Sequence, residues 1–224
     1  MKQPLWKVLL SYLTEVEIEQ ARSVYNDHLT VLLVKGQYQL TTDEAIYSYG
    51  LRYDNYYSAF SQLDLQRLGP SALLLGLGLG SIPYMLEHAF KKKYSYTAVE
   101  IDEEIIYLAS KYVLHDLDSD IQTINADALT FVNMDPARYH FVAMDIFVSD
   151  YIPAQFESFE YLQELKHKIA HDGLLLFNRL YYYDHDKKKT EQYYSEVFCK
   201  VFSNATRLDI NGNWILVSDK SYLL

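Results

Sequence analysis

The chain has 224 residues, half of them hydrophobic and 22% charged, which excludes a disordered or collagen-like protein and allows one large domain with a small appendage. Its formal net charge of −10 lacks the basic excess that grips a nucleic-acid backbone, so nucleic acid is not an expected partner; acidity serves solubility and suits a small or cationic substrate. The lone Cys199 excludes an intrachain disulfide and points to a reducing, cytoplasmic setting, while MKQPLWKVLL is too short and too lysine-interrupted for a signal peptide or membrane span, and no later run reaches spanning length.

Residues 5–20 read as a helix, or a helix and turn. The run from Leu29 to Val34, then Lys35-Gly36, then Gln37 to Leu40 has the pattern of a hairpin closed at a glycine. Residues 45–49 suggest a third strand, and residues 54–65 a helix that stops before the breaker pair Gly69-Pro70. The expected boundary lies there: residues 1–69 form a small helix and β-hairpin region, and residues 70–224 the main domain.

Beyond Pro70 strands and helices alternate. Strands are expected at 72–75, 95–100, 121–125, 141–145 and 173–177, with helices at 82–90, 103–113, 156–170 and 190–202. Such alternation makes βαβ units, and continuous apolar strands such as LLL and GLLLF fit a parallel sheet covered on both faces. Residues 206–210 and 214–218 break the pattern, because Asn211-Gly212 between them is a strong hairpin signal. The expected fold is therefore α/β: a doubly wound, mostly parallel sheet of class I methyltransferase type with a C-terminal antiparallel hairpin, plus the small N-terminal β-rich piece.

The chemistry concentrates at the carboxyl ends of the strands, where open α/β sheets bind ligands. ALLLGLGLGS sets Gly76, Gly78 and Gly80 between a strand and a helix, allowing a tight turn and close backbone approach by a cofactor beside an electropositive helix start. Glu100 ends the next strand in YTAVEID, where a carboxylate can accept hydrogen bonds from both ribose hydroxyls. Asp102 reads as a helix cap. Asp127 in INADAL reads either as an acceptor for an adenine amino group or as the cap of a helix from Ala128. Asp145 ends the fourth strand in YHFVAMD, opposite the glycine loop, and is the candidate group at the reacting centre; Asp150 lies farther out in SDYIP. His167 and His171 share a helix face, but too few ligands converge for a metal. Tyrosine is abundant, at 22 residues, and clusters near positions 47–57 and 181–183.

These segments together with YHFVAMDIFVSDYIPAQFESFEYLQELKHKIAHDGLLLFN resemble the spermidine/spermine synthase (polyamine aminopropyltransferase) family, and SVYNDHLTVLLVKGQYQLTTDEAIYSYG resembles its N-terminal hairpins. The resemblance implies a methyltransferase-like Rossmann domain, S-adenosylmethionine or decarboxylated S-adenosylmethionine as cofactor, a small-molecule acceptor such as a cationic amine, and a homodimer. Three departures separate the chain from amine-handling members. Leu79 replaces the acid of the family's GGGDGG loop. Asp145 matches the first acid of its DSSDP segment, but the next acid, Asp150, stands five positions on. The family's tyrosine-histidine-glutamate segment finds only Tyr56-Tyr57-Ser58. The expectation is an S-adenosylmethionine-binding transferase of the spermidine-synthase-like group, acting by in-line attack of a nucleophile on the carbon next to sulfonium. True aminopropyl transfer, a nicotinamide-dependent oxidoreductase and a non-catalytic binding protein of the same fold are the alternatives.

Overall fold

A computed structural model describes residues 3–42, 46–48, 50–148 and 151–224. Ala45 and Tyr49, the ends of the expected third strand, and Asp150 lie outside the described residues. The first part holds helix α1 (Leu5–Leu10) and an antiparallel sheet in the order β1 (Val16–Ala21), β2 (Leu29–Val34), β3 (Gln37–Thr41), β4 (Ile46–Ser48), followed by helix α2 (Asp54–Phe60). The β2–β3 hairpin turns at Lys35 and Gly36, with φ of +51° and +79°, the two left-handed residues that a tight turn between twisted strands requires. The helical reading of residues 5–20 is corrected: the helix stops at Leu10, and VEIEQA forms β1. Pairing with β2 across a bulge between Glu17 and Glu19 overrides the weak helical preference of so short a segment.

The second part is a seven-stranded sheet in the order β10-β11-β9-β8-β5-β6-β7. Its strands are β5 (Ser71–Leu75), β6 (Ser95–Glu100), β7 (Asp120–Asn125), β8 (Tyr139–Met144), β9 (Ile169–Leu180), β10 (Thr206–Ile210) and β11 (Asn213–Val217). Those from β5 to β9 pair in parallel, while β11 runs antiparallel to both β9 and β10. The β10–β11 turn again uses two left-handed residues, Asn211 and Gly212, with φ of +43° and +92°. This is the class I methyltransferase arrangement expected above.

Helices α3 (Ser81–His88), α4 (Glu103–Tyr112), α5 (Ala128–Met134), α6 (Phe159–His167), α7 (Asp184–Tyr193) and α8 (Cys199–Val201) cover the sheet. Helix α6 starts later than its apolar pattern suggests, because Ser158 caps it by accepting the Tyr161 N–H. Helix α7 starts earlier, at Asp184, and reaches α8 through one π-helical turn, Tyr194–Phe198. Strand β9 continues to Leu180, past the apolar run ending at Phe177, because β11 pairs with its last residues.

Alternate side chains along each strand feed two apolar layers. Leu74, Ala98, Phe141 and Leu176 join α2 and α3 on one face, whereas Leu73, Leu75, Val142 and Phe177 join α5 and α6 on the other. A third cluster ties the two sheets together. In it Leu79, at the tip of the glycine loop, packs with Leu29, Val31 and Leu40 of the small sheet and with Ile105 and Leu108 of α4. Leu79 is 1% exposed, so Leu79→Ala should destabilise the protein by about 2–5 kcal/mol, measured by chemical denaturation.

Candidate functional site

The strand order reverses between β5 and β8, on either side of which the connections run in opposite directions, so a crevice opens beyond their carboxyl ends. Gly76 leaves β5 there and touches the backbone of Asp145: an added Cβ would lie 2.3 Å from the Asp145 carbonyl oxygen. The Asp145 N–H donates to the Leu75 carbonyl at 2.9 Å, and the Gly76 N–H to the Val99 carbonyl at 3.0 Å. Gly76, Gly78 and Gly80 have φ of +88°, +53° and +83°, so every second residue of the loop takes the left-handed backbone suited to glycine. Gly80 precedes α3 without a side-chain cap. The Ser81 hydroxyl, at the start of α3, lies against that of Ser48.

A cleft of about 560 Å³ occupies this crevice. Glu100 enters it from the end of β6, and its two oxygens accept the backbone N–H groups of Leu77 at 3.0 Å and Asp102 at 3.1 Å. The carboxylate thereby braces the glycine loop, and the Ile101 N–H is a third backbone donor to it; a carboxylate has about four acceptor directions, so capacity for a ligand hydroxyl remains. Burial pushes its pKa up, against the backbone donors of Leu77 and Asp102. Asp102 caps α4 by accepting the Glu104 N–H at 3.0 Å. Its other oxygen accepts the Ser23 hydroxyl and the Asn26 amide, tying the segment between β1 and β2 to the rim.

Asp127 caps α5, accepting the Thr130 N–H and hydroxyl through Oδ1, and also lines the cleft. Both halves of its reading are thus compatible with its position.

Asp145 forms the floor. Its Oδ2 accepts the Tyr53 hydroxyl and its Oδ1 the Asn178 amide, each at 2.9 Å. Asn178 Oδ1 accepts the amide of Asn213 at 2.9 Å. Burial raises the Asp145 carboxyl to about 6, with Asn178 and Tyr53 holding it down from a higher value. Burial and the adjacent Asp145 push the Tyr53 hydroxyl well above its ordinary range, so it remains a donor.

Tyr56, singled out in the sequence, lies instead in the core. It is fully buried and donates to the Met144 carbonyl at 3.1 Å; Tyr53, three residues earlier, reaches the cleft. Tyr53, Asn178, Asn213 and Ser48 all line the cleft without a sequence signal of their own. The one available hint is the polar Asn178 closing the apolar run GLLLFN.

The described lining residues include the carboxylates of Glu100, Asp102, Asp127 and Asp145 and no lysine, arginine or histidine. Such a lining suits a cationic ligand. Among the described residues no group of three or more potential ligands could hold a metal, and no helix is long and apolar enough to cross a membrane.

No family model matches the chain. A polyamine aminopropyltransferase of Vibrio vulnificus is 26% identical over 152 residues, covering 65% of this chain and 49% of that protein. The chain spans about half, or less, of the length of the curated relatives it matches. A probable spermidine synthase of Corynebacterium glutamicum superimposes with a TM-score of 0.70 at 16% identity, covering 89% of this chain and 79% of that one. The chain is similar in fold to spermidine synthases. A spermidine synthase in complex with the transition-state analogue AdoDATO also superimposes with a TM-score of 0.70, at 15% identity over 90% of this chain and 72% of that one. At these identities the structural likeness establishes the fold.

Within this spermidine-synthase-like fold, the raised carboxyl of Asp145 has a consequence for stability. The folded state keeps its proton to higher pH than the unfolded chain, so the contribution favours folding at low pH and is lost as pH rises from about 4 to about 6. Asp145→Asn lacks this dependence. Its unfolding free energy minus that of the wild type should rise over that window and level off above it, as measured by urea denaturation across pH.

Proposed function

We propose that the cleft binds S-adenosylmethionine or its decarboxylated form and that the protein is a transferase acting on a small-molecule acceptor, with a cationic amine as the best-fitting class. The observation that carries this reading is the placement of Glu100 and Asp145 on opposite sides of the glycine loop, in a lining that holds acids and, among the described residues, no base. The likeness to a polyamine aminopropyltransferase and to a spermidine synthase holding AdoDATO supports it.

Glu100 would accept from the ribose hydroxyls with the acceptor capacity its backbone donors leave, Gly76 to Gly80 would let the ligand approach the backbone, and Asp127 would meet the adenine amino group. A bound sulfonium supplies an already activated alkyl group. The protein's contribution is then mainly positioning and water exclusion. Asp145 is mostly ionised at neutral pH with its pKa at about 6, which suits it to steady a cationic acceptor and take up its proton.

Aminopropyl transfer from the decarboxylated form is the second reading. The base-free lining favours it, since no cationic side chain among the described lining residues stands ready for a methionyl carboxylate. Leu79 in place of the family's acid weighs toward a different acceptor. The reading extends to a cytoplasmic homodimer, supported by the single cysteine and by Leu5, Trp6, Leu9 and Leu13, which stand exposed on and just beyond α1.

Calorimetry with S-adenosylmethionine, its decarboxylated form, methylthioadenosine and NAD tests the assignment. At least one adenosyl sulfur compound should bind, and NAD should not; binding of NAD alone overturns it. Glu100→Gln should weaken the adenosyl ligand by about tenfold or more, the loss of a hydrogen bond to a charged acceptor.

A further inference from the structure

Asp145 and Asn178 are joined by a hydrogen bond whose direction is not free. An ionised carboxylate only accepts, so the Asn178 amide must turn its NH₂ toward Asp145 and its oxygen away. That oxygen then needs a donor, and Asn213 supplies it at 2.9 Å. Asn213 opens β11 immediately after the Asn211-Gly212 turn and pairs in register with Leu180, two residues beyond Asn178 on β9. The order of donation is therefore Asn213 to Asn178 to Asp145, with Tyr53 donating to the other carboxylate oxygen.

We propose that Asn213 is a positioning residue: its amide locks Asn178 with the NH₂ toward Asp145 and thereby holds Asp145 as the hydrogen-bonded anion at the floor of the cleft. The physical need for a lock follows from the geometry of an amide. Turned over, Asn178 would set its carbonyl oxygen against the carboxylate, and two acceptors in contact repel. Asn178 is 1% exposed, so water cannot readily replace the missing donor, and an unpaired buried acceptor is costly. With Asn213 in place the flipped state would bring two NH₂ groups together and two oxygens together. Without Asn213 only the clash of the two oxygens opposes the flip.

The other groups around Asp145 do not supply the same control. Tyr53 donates to Oδ2 and its oxygen also meets the Asn178 NH₂, but it offers no donor to the Asn178 oxygen. Tyr56 is committed to the Met144 carbonyl. Gly76 meets Asp145 through the backbone. Arg179, next along β9, points to the opposite sheet face, where it pairs with Glu157 at 2.5 Å. Glu100, Asp102 and Asp127 share the cleft but are acids, and none is a donor to Asn178. Asn178 is thus the adjustable donor, and Asn213 is what adjusts it.

The inference rests on reading Asp145 as the group at the reacting centre, but its test needs no ligand. Protein labelled with ¹³C at aspartate Cγ is titrated between pH 4 and 8 by NMR. The Asp145 midpoint in the wild type is expected at about 6, where burial places the carboxyl. Asn213→Ala should raise it by about half a unit or more, because a hydrogen bond to the charged form is weakened. Asn213→Thr, which keeps a donor hydroxyl, should stay close to the wild type. In the wild-type protein alone, the side-chain NH₂ signals of both Asn178 and Asn213 should shift with the Asp145 midpoint, a readout that survives even if a variant fails to fold. An unmoved midpoint in Asn213→Ala, with only a lower melting temperature, overturns the proposal, as does an Asn213 amide signal indifferent to the titration. Loss of nucleoside binding in the calorimetric comparison would overturn the cofactor assignment and leave this result standing.

Discussion

The contact between Gly76 and the backbone of Asp145 is the constraint on which the site depends. At the strand-order reversal two chains leave the sheet side by side, and a Cβ at position 76 would lie 2.3 Å from the Asp145 carbonyl oxygen. Only glycine closes that gap, and its φ of +88° turns the chain sharply into the loop. Because the two backbones touch, the loop and the end of β8 share one fixed geometry. Glu100 then braces the loop from the neighbouring strand through the Leu77 N–H. The side chains offered to a ligand are therefore held by main-chain contacts and not by long flexible arms.

Leu79 gives the loop its second anchor. In the sequence it stands where the resembling family carries an acid, and it appears as a lost ligand contact. In the folded protein it is a buried bridge between the small sheet and α4. An acid there would face Leu29, Val31 and Leu108. The substitution thus exchanges a polar group for a packing contact, and the cleft is left with Asp145 as the acid on its floor among the described residues. Two neutral donors, Tyr53 and Asn178, sit where a charged partner would otherwise be expected. They favour the ionised carboxyl against burial without a base, consistent with a site that receives a cation.

Much of the fold was legible because it is local. The LLL and GLLLF runs announce buried parallel strands, and the hairpins at Lys35-Gly36 and Asn211-Gly212 are marked by their turn residues. The glycine loop and the strand-end acids Glu100 and Asp145 follow from position relative to those strands. What was illegible depends on distant partners. VEIEQA becomes a strand only when β2 lies beside it. Tyr53 meets Asp145 across 92 positions, and Asn213 meets Asn178 across 35. Neither spacing has a period that a single chain displays. The tyrosine pair shows the limit most clearly, since Tyr53 and Tyr56 lie on adjacent turns and only the packing decides which one reaches the cleft. The Asn-Gly turn served as a mark of topology, while its neighbour Asn213 also serves the site.

The cleft proposed as a nucleoside site, with Glu100 at the ribose and Asp145 at the sulfur end, is tested by a crystal structure of the complex with methylthioadenosine. Both ribose hydroxyls should lie within hydrogen-bond distance of the Glu100 carboxylate, with the thioether directed toward Asp145. A nucleoside bound elsewhere, or turned so that its ribose lies away from Glu100, would contradict that assignment.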